Sequence, residues 1–448
     1  GKLIYLAASI RSRTANAGLL NVIVQIQLNP QAADQFKCFF LRQDARFLQF
    51  LGQGGQGAVY SVDLNGKKMA LKWYTHPAYT TNANFYHNLE TNIRIGSPSP
   101  AFLWPEYLTQ VQYGSFGYIM PLRPKHYVEF SRFLLAKERF SSMQALFSAA
   151  IHICNAFKAL HSKGLSYQDL NDGNFFLDPK TGDVLICDND NVIFHGANLG
   201  IAGKTRYMAP EVVAGALPDT YSDRFSLTVI LFLLLYGNHP FEGERVLAQP
   251  CMRESDEKRF FGSDMIFIYH PTNPANRPVH GVHTNVIRRW SAFPAMLRNQ
   301  FIEKFSHEKL YDNPQSRLIE AEWVRLLQSV KDNIVLCPHC RQETFVDDQN
   351  ASRCVACGTL MQVKARLMMD GRHLPLVVGD RYQLADDIRF ETVLSSTDNL
   401  LWLRNTGKCT WQVTTTKGEQ RTLAPKALMP AKIGIQIQFT PRLTAIIH

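Results

Sequence analysis

Between about residues 46 and 74 apolar and polar positions alternate through the runs RFLQFLGQ, GAVYSVDL and KKMALKWY, interrupted by glycine clusters and the turn LNG. A period of two marks half-buried strands, so a small antiparallel sheet is predicted here. The period then changes. From 143 to 161, Leu146, Ala150, Ile153, Phe157 and Leu160 recur at helical spacing, and Gly164 lies just beyond as a stop. The run FSLTVILFLLLYG (225–237) is apolar all round and too short for a bilayer, which predicts a buried core helix and no membrane span. Residues 242–288 carry Pro and His without a clear period, and SRLIEAEWVRLLQSV (316–330) predicts a further helix. After Val330 short alternating segments return, broken by Gly and Pro turns and ending in IGIQIQF. The order is sheet, helices, then a second set of strands, an α+β chain with a boundary near 331. Neither an internal repeat nor a low-complexity tract interrupts it.

Composition narrows this picture. A chain of 448 residues exceeds one typical core, and 46% hydrophobic with 19% charged residues is an ordinary globular balance. The expected division is an unassigned extension over 1–42, a main domain over 43–331, a metal-binding ribbon over 332–364 and a small β domain over 365–448. The apolar stretch 3–9 is too brief and poorly flanked for a signal peptide. A net charge of +10 would suit an anionic partner, but over this length it describes a solvated surface. Aromatic and basic residues do not interleave as nucleic-acid binding would require. Of nine cysteines, four form two Cys-x-x-Cys pairs and five are scattered without a disulfide-like pattern, so a reducing, cytoplasmic setting is expected.

The chemistry-bearing residues come in an ordered series. Gly52, Gly54 and Gly57 form G-x-G-x-x-G with Val59 following, between two strand-like runs. Such glycines let backbone N–H groups approach phosphate oxygens, though a plain glycine-rich hairpin reads the same way. A dinucleotide fold would need a helix after the third glycine, and AVYSVDL reads as strand. MALK then sets Ala70 and Lys72 at the end of the next strand, where an ammonium could reach phosphates. Glu90, in FYHNLETN, lies where a helix could hold a carboxylate against Lys72, or could be a solvated helical Glu. GLSYQDLNDGNFFL contains Asp169 and, five residues on, Asn174. LICDNDN contains Asp188, and RYMAPE contains Glu211.

In this series, from about 45 to 330, the chain resembles the eukaryotic-type protein kinase family. The family loop H-R-D-x-x-x-x-N reads Y-Q-D-L-N-D-G-N here, with Tyr167 and Gln168 replacing His and Arg. The resemblance implies a bilobal fold, an antiparallel sheet above a helical lobe, and ATP- and Mg2+-dependent phosphoryl transfer to a protein hydroxyl, Ser or Thr ahead of Tyr. Lys72 would meet the α/β-phosphates, Asp169 would accept the hydroxyl proton, and Asn174 and Asp188 would hold Mg2+. Asp223 would support the catalytic loop from beneath, and Arg317 would pair with Glu211. Asn189 and Asp190 replace the Phe and Gly of D-F-G, so Phe-based switching is in doubt; Asp190 reads as a turn cap or a further ligand. A narrower resemblance, to the bacterial kinases of tellurite-resistance-type stress operons, rests on GQGGQGAVY, YQDLNDGN, CDNDN and the cysteine-bearing tail. It implies a von Willebrand-type metal-binding protein and a PP2C-type phosphatase as partners.

Cys337, Cys340, Cys354 and Cys357 form C-x2-C-x13-C-x2-C. Four thiolates suit a closed, structural Zn2+ site, with a redox pair as the alternative. The strands of 365–448 resemble a forkhead-associated sandwich, a phosphothreonine reader, without its full set of reading-loop residues; a docking module is the other reading. Against an active kinase stands a pseudokinase scaffold, motivated by Tyr167, Gln168 and Asn189.

Overall fold

The alternating runs become a six-stranded antiparallel sheet that closes on itself in the computed structural model, which describes residues 21–27, 40–111, 114–346 and 351–448. Its order is Asn21–Gln27, Phe40–Gln53, Gly57–Leu64, Lys67–Tyr74, Gly117–Pro121 and Tyr107–Thr109, the last pairing back to the first. Most of the unassigned extension, 1–20 and 28–39, lies outside the described residues, but Asn21–Gln27 joins this sheet. Gly57 is required by the pairing itself: a Cβ there would sit 2.1 Å from the Trp73 carbonyl oxygen. One face of the sheet packs on the helix Ala83–Ile95, with Tyr74, Tyr118, Phe85, Leu89 and Phe116 in one buried cluster.

The helical lobe is built on Met143–Ser162 and Thr220–Tyr236, the latter buried along almost its whole length, as an all-apolar run requires. In its core Phe301 packs edge-on against Phe232 and Tyr236 and tilted against Trp323. Among the described residues no helix is long and apolar enough to cross a membrane. The stretch 242–288 is held by buried Asn276, whose amide donates to the Phe241 and Ile266 carbonyls and accepts from the Gly243 N–H. The last helix begins at Glu320 instead of 316, because Pro314–Ser316 form a 3-10 turn and Arg317 is extended toward Glu211. Ile319 caps the helix from just before it, its N–H donating to the Glu322 carboxylate at 3.1 Å.

Beyond Asp332 the chain is all β. A small cluster of Val335, Val346, Met361 and Val363 surrounds Cys337 and Cys354. After it, two antiparallel sheets, one containing Leu360–Met369 and Gln436–Thr440 and the other Ile388–Leu394 and Leu401–Asn405, enclose a core around Phe390, Leu403, Trp411 and Ile437. This cysteine-bearing segment rests on the helical lobe, with Phe345 edge-on to Phe147 and Phe293 at 5.7 and 5.5 Å.

Candidate active site

Lys72 ends up in the cleft because its strand is central in the sheet, pairing with Gly57–Leu64 on one side and Gly117–Pro121 on the other. Its ammonium is buried and meets Asp190 Oδ2 at 2.7 Å, Asp188 Oδ1 at 2.9 Å and the amide oxygen of Gln56 from the glycine-rich loop. Burial alone would lower its pKa, but the charges of Asp190 and then Asp188 outweigh that and hold it well above the ordinary lysine value. Tyr74 donates its hydroxyl to the same Asp190 oxygen at 2.5 Å. Asp190 is therefore not a turn cap: its carboxylate is fully buried against the sheet.

The expected contact between Glu90 and Lys72 is absent. Glu90 instead faces His87, at 3.1 Å. The buried face of the helix Ala83–Ile95 presents Phe85, Asn88, Leu89 and Asn92, and at about 100° per residue Glu90 falls on the opposite side from Asn88. Asn88 and Asn92 each donate to the Val192 carbonyl at 2.7 Å, tying the helix to the segment that follows Asp190. Ala70 and Met120 are buried beside Lys72, with Val59, Leu185 and Cys187 partly exposed against them, an apolar surface suited to a planar base.

The catalytic-loop candidates lie opposite. Asp169 is raised to about 6 by burial and then by the Asp188 charge, with Lys204 opposing. Asn174 is buried, and its amide oxygen accepts from the Asn171 N–H at 2.7 Å while its carbonyl accepts from Cys187 N at 2.8 Å. That stitch joins the Asp169 loop to the Asp188 segment. Tyr167 extends it, its buried side chain donating to the carbonyls of Cys187 and of Asp188, the latter at 3.0 Å. Asp188 adopts a left-handed backbone with φ of 56°, and Asn189 behind it donates to the carbonyls of Leu103 and Ile186, each at 3.0 Å. Beneath the loop, Asp223 accepts from the N–H groups of Tyr167 and Gln168 at 2.6 and 2.9 Å. Arg317 makes two bonds of 2.7 Å to Glu211. Gly52 and Gly54 have open space where a Cβ would lie, unlike Gly57.

The four cysteines of the tail converge, their sulfur atoms all within 4.8 Å of one another. Cys337 and Cys357 stand 3.6 Å apart and Cys340 and Cys354 3.5 Å, too far for disulfides and close to the roughly 3.8 Å edge of a tetrahedron with Zn–S bonds of about 2.3 Å. Each Cys-x-x-Cys closes with a left-handed residue after its second cysteine, Arg341 at φ 64° and Gly358 at φ 71°. That turn directs Arg341 N to the Cys337 carbonyl and Gly358 N to the Cys354 carbonyl, both at 2.9 Å. The donor set fits a closed four-thiolate zinc site.

A family model for the protein kinase domain matches residues 45–319, more than half of the chain. The chain belongs to the protein kinase family. Similar proteins include mouse protein kinase C delta type, 36% identical over 24% of this chain and 16% of that protein. The DNA damage-responsive serine/threonine-protein kinase RqkA of Deinococcus radiodurans is 26% identical over 44% of this chain and 30% of its own length. Serine/threonine-protein kinase PknK of Mycobacterium bovis is 31% identical over 44% and 18%. The chain thus spans under a third of each of these relatives.

The residues that the motifs do not mark are ones doing structural jobs. Asn88 and Asn92 carried a signal, an i, i+4 pair of amides on a helix face otherwise apolar. His161, at the end of Met143–Ser162, gave none, yet it lies buried between Asp223 and Glu320.

Proposed function

We propose that the chain is an ATP- and Mg2+-dependent protein kinase that phosphorylates Ser or Thr hydroxyls. The observation carrying this reading is one cleft in which the Lys72 ammonium, the half-exposed Asp188 carboxylate and the Asp169 carboxylate converge on backbone stitched together at Asn174. Lys72 would orient the α/β-phosphates, with the backbone at Gly52 and Gly54 close to them. Asp188 and the amide oxygen of Asn174 would hold Mg2+, which supplies charge neutralisation on the transferring phosphoryl group. Asp169 would orient the acceptor hydroxyl and take its proton. Glu211 with Arg317, and Asp223, act beneath the site as structure. The names of RqkA and PknK support the Ser/Thr preference.

Incubating the full chain with labelled ATP, Mg2+ and a library of Ser-, Thr- and Tyr-containing peptides tests this directly. Transfer to Ser or Thr peptides, abolished by Lys72→Ala, is the expected result. Nucleotide binding without any transfer would favour the second reading, a pseudokinase scaffold, which Tyr167, Gln168 and Asn189 motivate.

The division into an extension, a kinase domain over 43–331, a ribbon over 332–364 and a β domain over 365–448 belongs to the same proposal. In it the ribbon holds one structural Zn2+, and the sandwich recruits partners, among them a von Willebrand-type metal-binding protein and a PP2C-type phosphatase of a bacterial stress system. The four-thiolate site requires reduced cysteines, which supports a cytoplasmic setting. Metal analysis should find one zinc per chain, lost in Cys337→Ser and in Cys354→Ser. Full zinc content in both variants would remove the ribbon from the reading.

A further inference from the structure

We propose that Asp190, and no carboxylate of the helix Ala83–Ile95, is the positioning residue that orients Lys72 for nucleotide. The inference rests on the kinase reading above and specifies how its phosphate-binding lysine is held. Lys72 has two carboxylate partners of different character. The Asp188 side chain is 46% exposed, whereas that of Asp190 has no exposure. The exposed partner is the one available to leave for a metal ion. The buried one has nowhere to go, and separating it from Lys72 would leave two uncompensated charges out of water.

Asp190 is also fixed from the sheet side. Its Oδ2 accepts from Lys72 at 2.7 Å and from Tyr74 at 2.5 Å, and those two donors lie two residues apart on the same face of the strand Lys67–Tyr74. Ammonium, phenol and carboxylate therefore form one unit spanning the strand and the segment 188–192. Glu90 is engaged by His87 on the other side of its helix. The helix reaches the same segment through neutral bonds, from Asn88 and Asn92 to the Val192 carbonyl. Rotation of the helix to bring an acid to Lys72 is thus not needed to complete the site. The lysine and the helix are both referenced to the segment that carries Asp188.

The test uses the full chain with Asp190→Asn, Tyr74→Phe and Glu90→Gln, the last lying outside the site in this structure. Three quantities are read: ATP affinity with Mg2+, the separate changes in KM for ATP and kcat, and the rate at which trinitrobenzenesulfonate modifies Lys72, followed by mass spectrometry. Asp190→Asn should weaken ATP binding and raise its KM by about tenfold or more, the scale of one lost charged hydrogen bond. It should also speed Lys72 modification, since the ammonium loses its buried counter-charge. Tyr74→Phe should move the same quantities by a smaller factor, and Glu90→Gln should leave them within about twofold. Equal losses from Glu90→Gln and Asp190→Asn would overturn the assignment, as would wild-type ATP affinity and Lys72 modification in Asp190→Asn. A defect in Asp190→Asn that excess Mg2+ repairs, with Lys72 modification unchanged, would make Asp190 a metal ligand and also overturn it. Should Asp190→Asn fail to fold, Tyr74→Phe decides: unchanged Lys72 modification there rejects the proposal. If the wild type transfers no phosphate at all, the kinase reading falls, while ATP affinity and Lys72 modification still judge the role of Asp190.

Discussion

Asp169 and His161 show how burial decides what a titratable side chain can do. Burial and the Asp188 charge hold Asp169 at about 6, so at neutral pH it is ionised yet basic enough to accept a proton. Asp169→Asn should leave ATP affinity within about twofold and lower kcat by about 10²- to 10⁴-fold. In the wild type kcat should fall on an acid limb at or below pH 6, since Mg2+ at Asp188 would cancel part of the upward push. His161 works in the opposite direction. Burial would lower its pKa, but bonds to Asp223 and Glu320 raise it to about 9, while His161 pulls Glu320 down to about 2 against burial. A raised folded-state value means that His161 stabilises the fold fully below its ordinary 6.5, and that this contribution drains away as pH rises through 9. The shift corresponds to a stabilisation on the order of 3 kcal/mol. Urea unfolding at pH 6, 7.5 and 9 should show the gap between wild type and His161→Gln narrowing with pH; a constant gap would mean that the charge is not involved. The sequence made Lys72, Asp169, Asn174 and Asp188 conspicuous because their types and spacings form one ordered series. His161 was invisible because its partners, Asp223 and Glu320, come from helices far along the chain.

Among elements, the helix Ala83–Ile95 and the segment between Asp188 and Ala209 show where periodicity stops being informative. Spacing alone announces a helix near Glu90, but which face turns inward is settled by what packs there, and the apolar Phe85 and Leu89 carry Asn88 and Asn92 in with them. The start of the last helix moved for a similar reason, Arg317 being drawn into extended backbone by Glu211. From the catalytic loop, Gln168, which stands where the family has Arg, ties the segment between Asp188 and Ala209 down with its amide. Its Nε2 donates to the Ala197 carbonyl at 2.7 Å and to Ser166 Oγ at 3.0 Å, and its Oε1 accepts from Asn198 at 3.2 Å. Between Asp188 and Ala209 only Thr205 and Tyr207 carry hydroxyls, and the Tyr207 carbonyl is held by Ser226. Order in this segment comes from bonds already in place, the neutral ones just named together with ion pairs from Arg206 to Glu242 at 2.8 Å and to Glu257 at 3.2 Å, none of which needs a phosphate. Protein stripped by a phosphatase should therefore transfer phosphate at full initial rate. A lag that ends only as Thr205 or Tyr207 becomes phosphorylated, followed by mass spectrometry, would reveal a switch read by a cation elsewhere, since residue 168 is neutral.

For the whole molecule, the change of pattern after Val330 announced a new unit, but nothing in it indicated how that unit would sit against the helical lobe. The decisive contact joins residues 200 positions apart: the Glu343 carboxylate, between the two Cys-x-x-Cys pairs, accepts from the N–H of Met143 at 2.5 Å and of Gln144 at 3.3 Å. Those are the first two donors of the helix Met143–Ser162, and Ser142 Oγ takes the third, from Ala145, at 3.0 Å. A helix leaves its first N–H groups without internal partners and carries partial positive charge at that end, so an anionic cap there is favourable. At its other end the same helix delivers the loop that holds Asp169. The tail thereby completes the helix on which the candidate catalytic loop depends, and an ion pair between buried Asp332 and half-exposed Arg372, at 2.6 Å, ties the β domain to the last helix. Glu343→Ala should cost about 1 kcal/mol, the usual loss for a helix cap, and the loss should appear in the helical lobe as well as in the tail. Hydrogen exchange at the Met143 and Gln144 amides should accelerate about fivefold in the full-length variant, with zinc content unchanged. Acceleration confined to the ribbon, with those two amides exchanging as in the wild type, would show that the helix start is held without the tail.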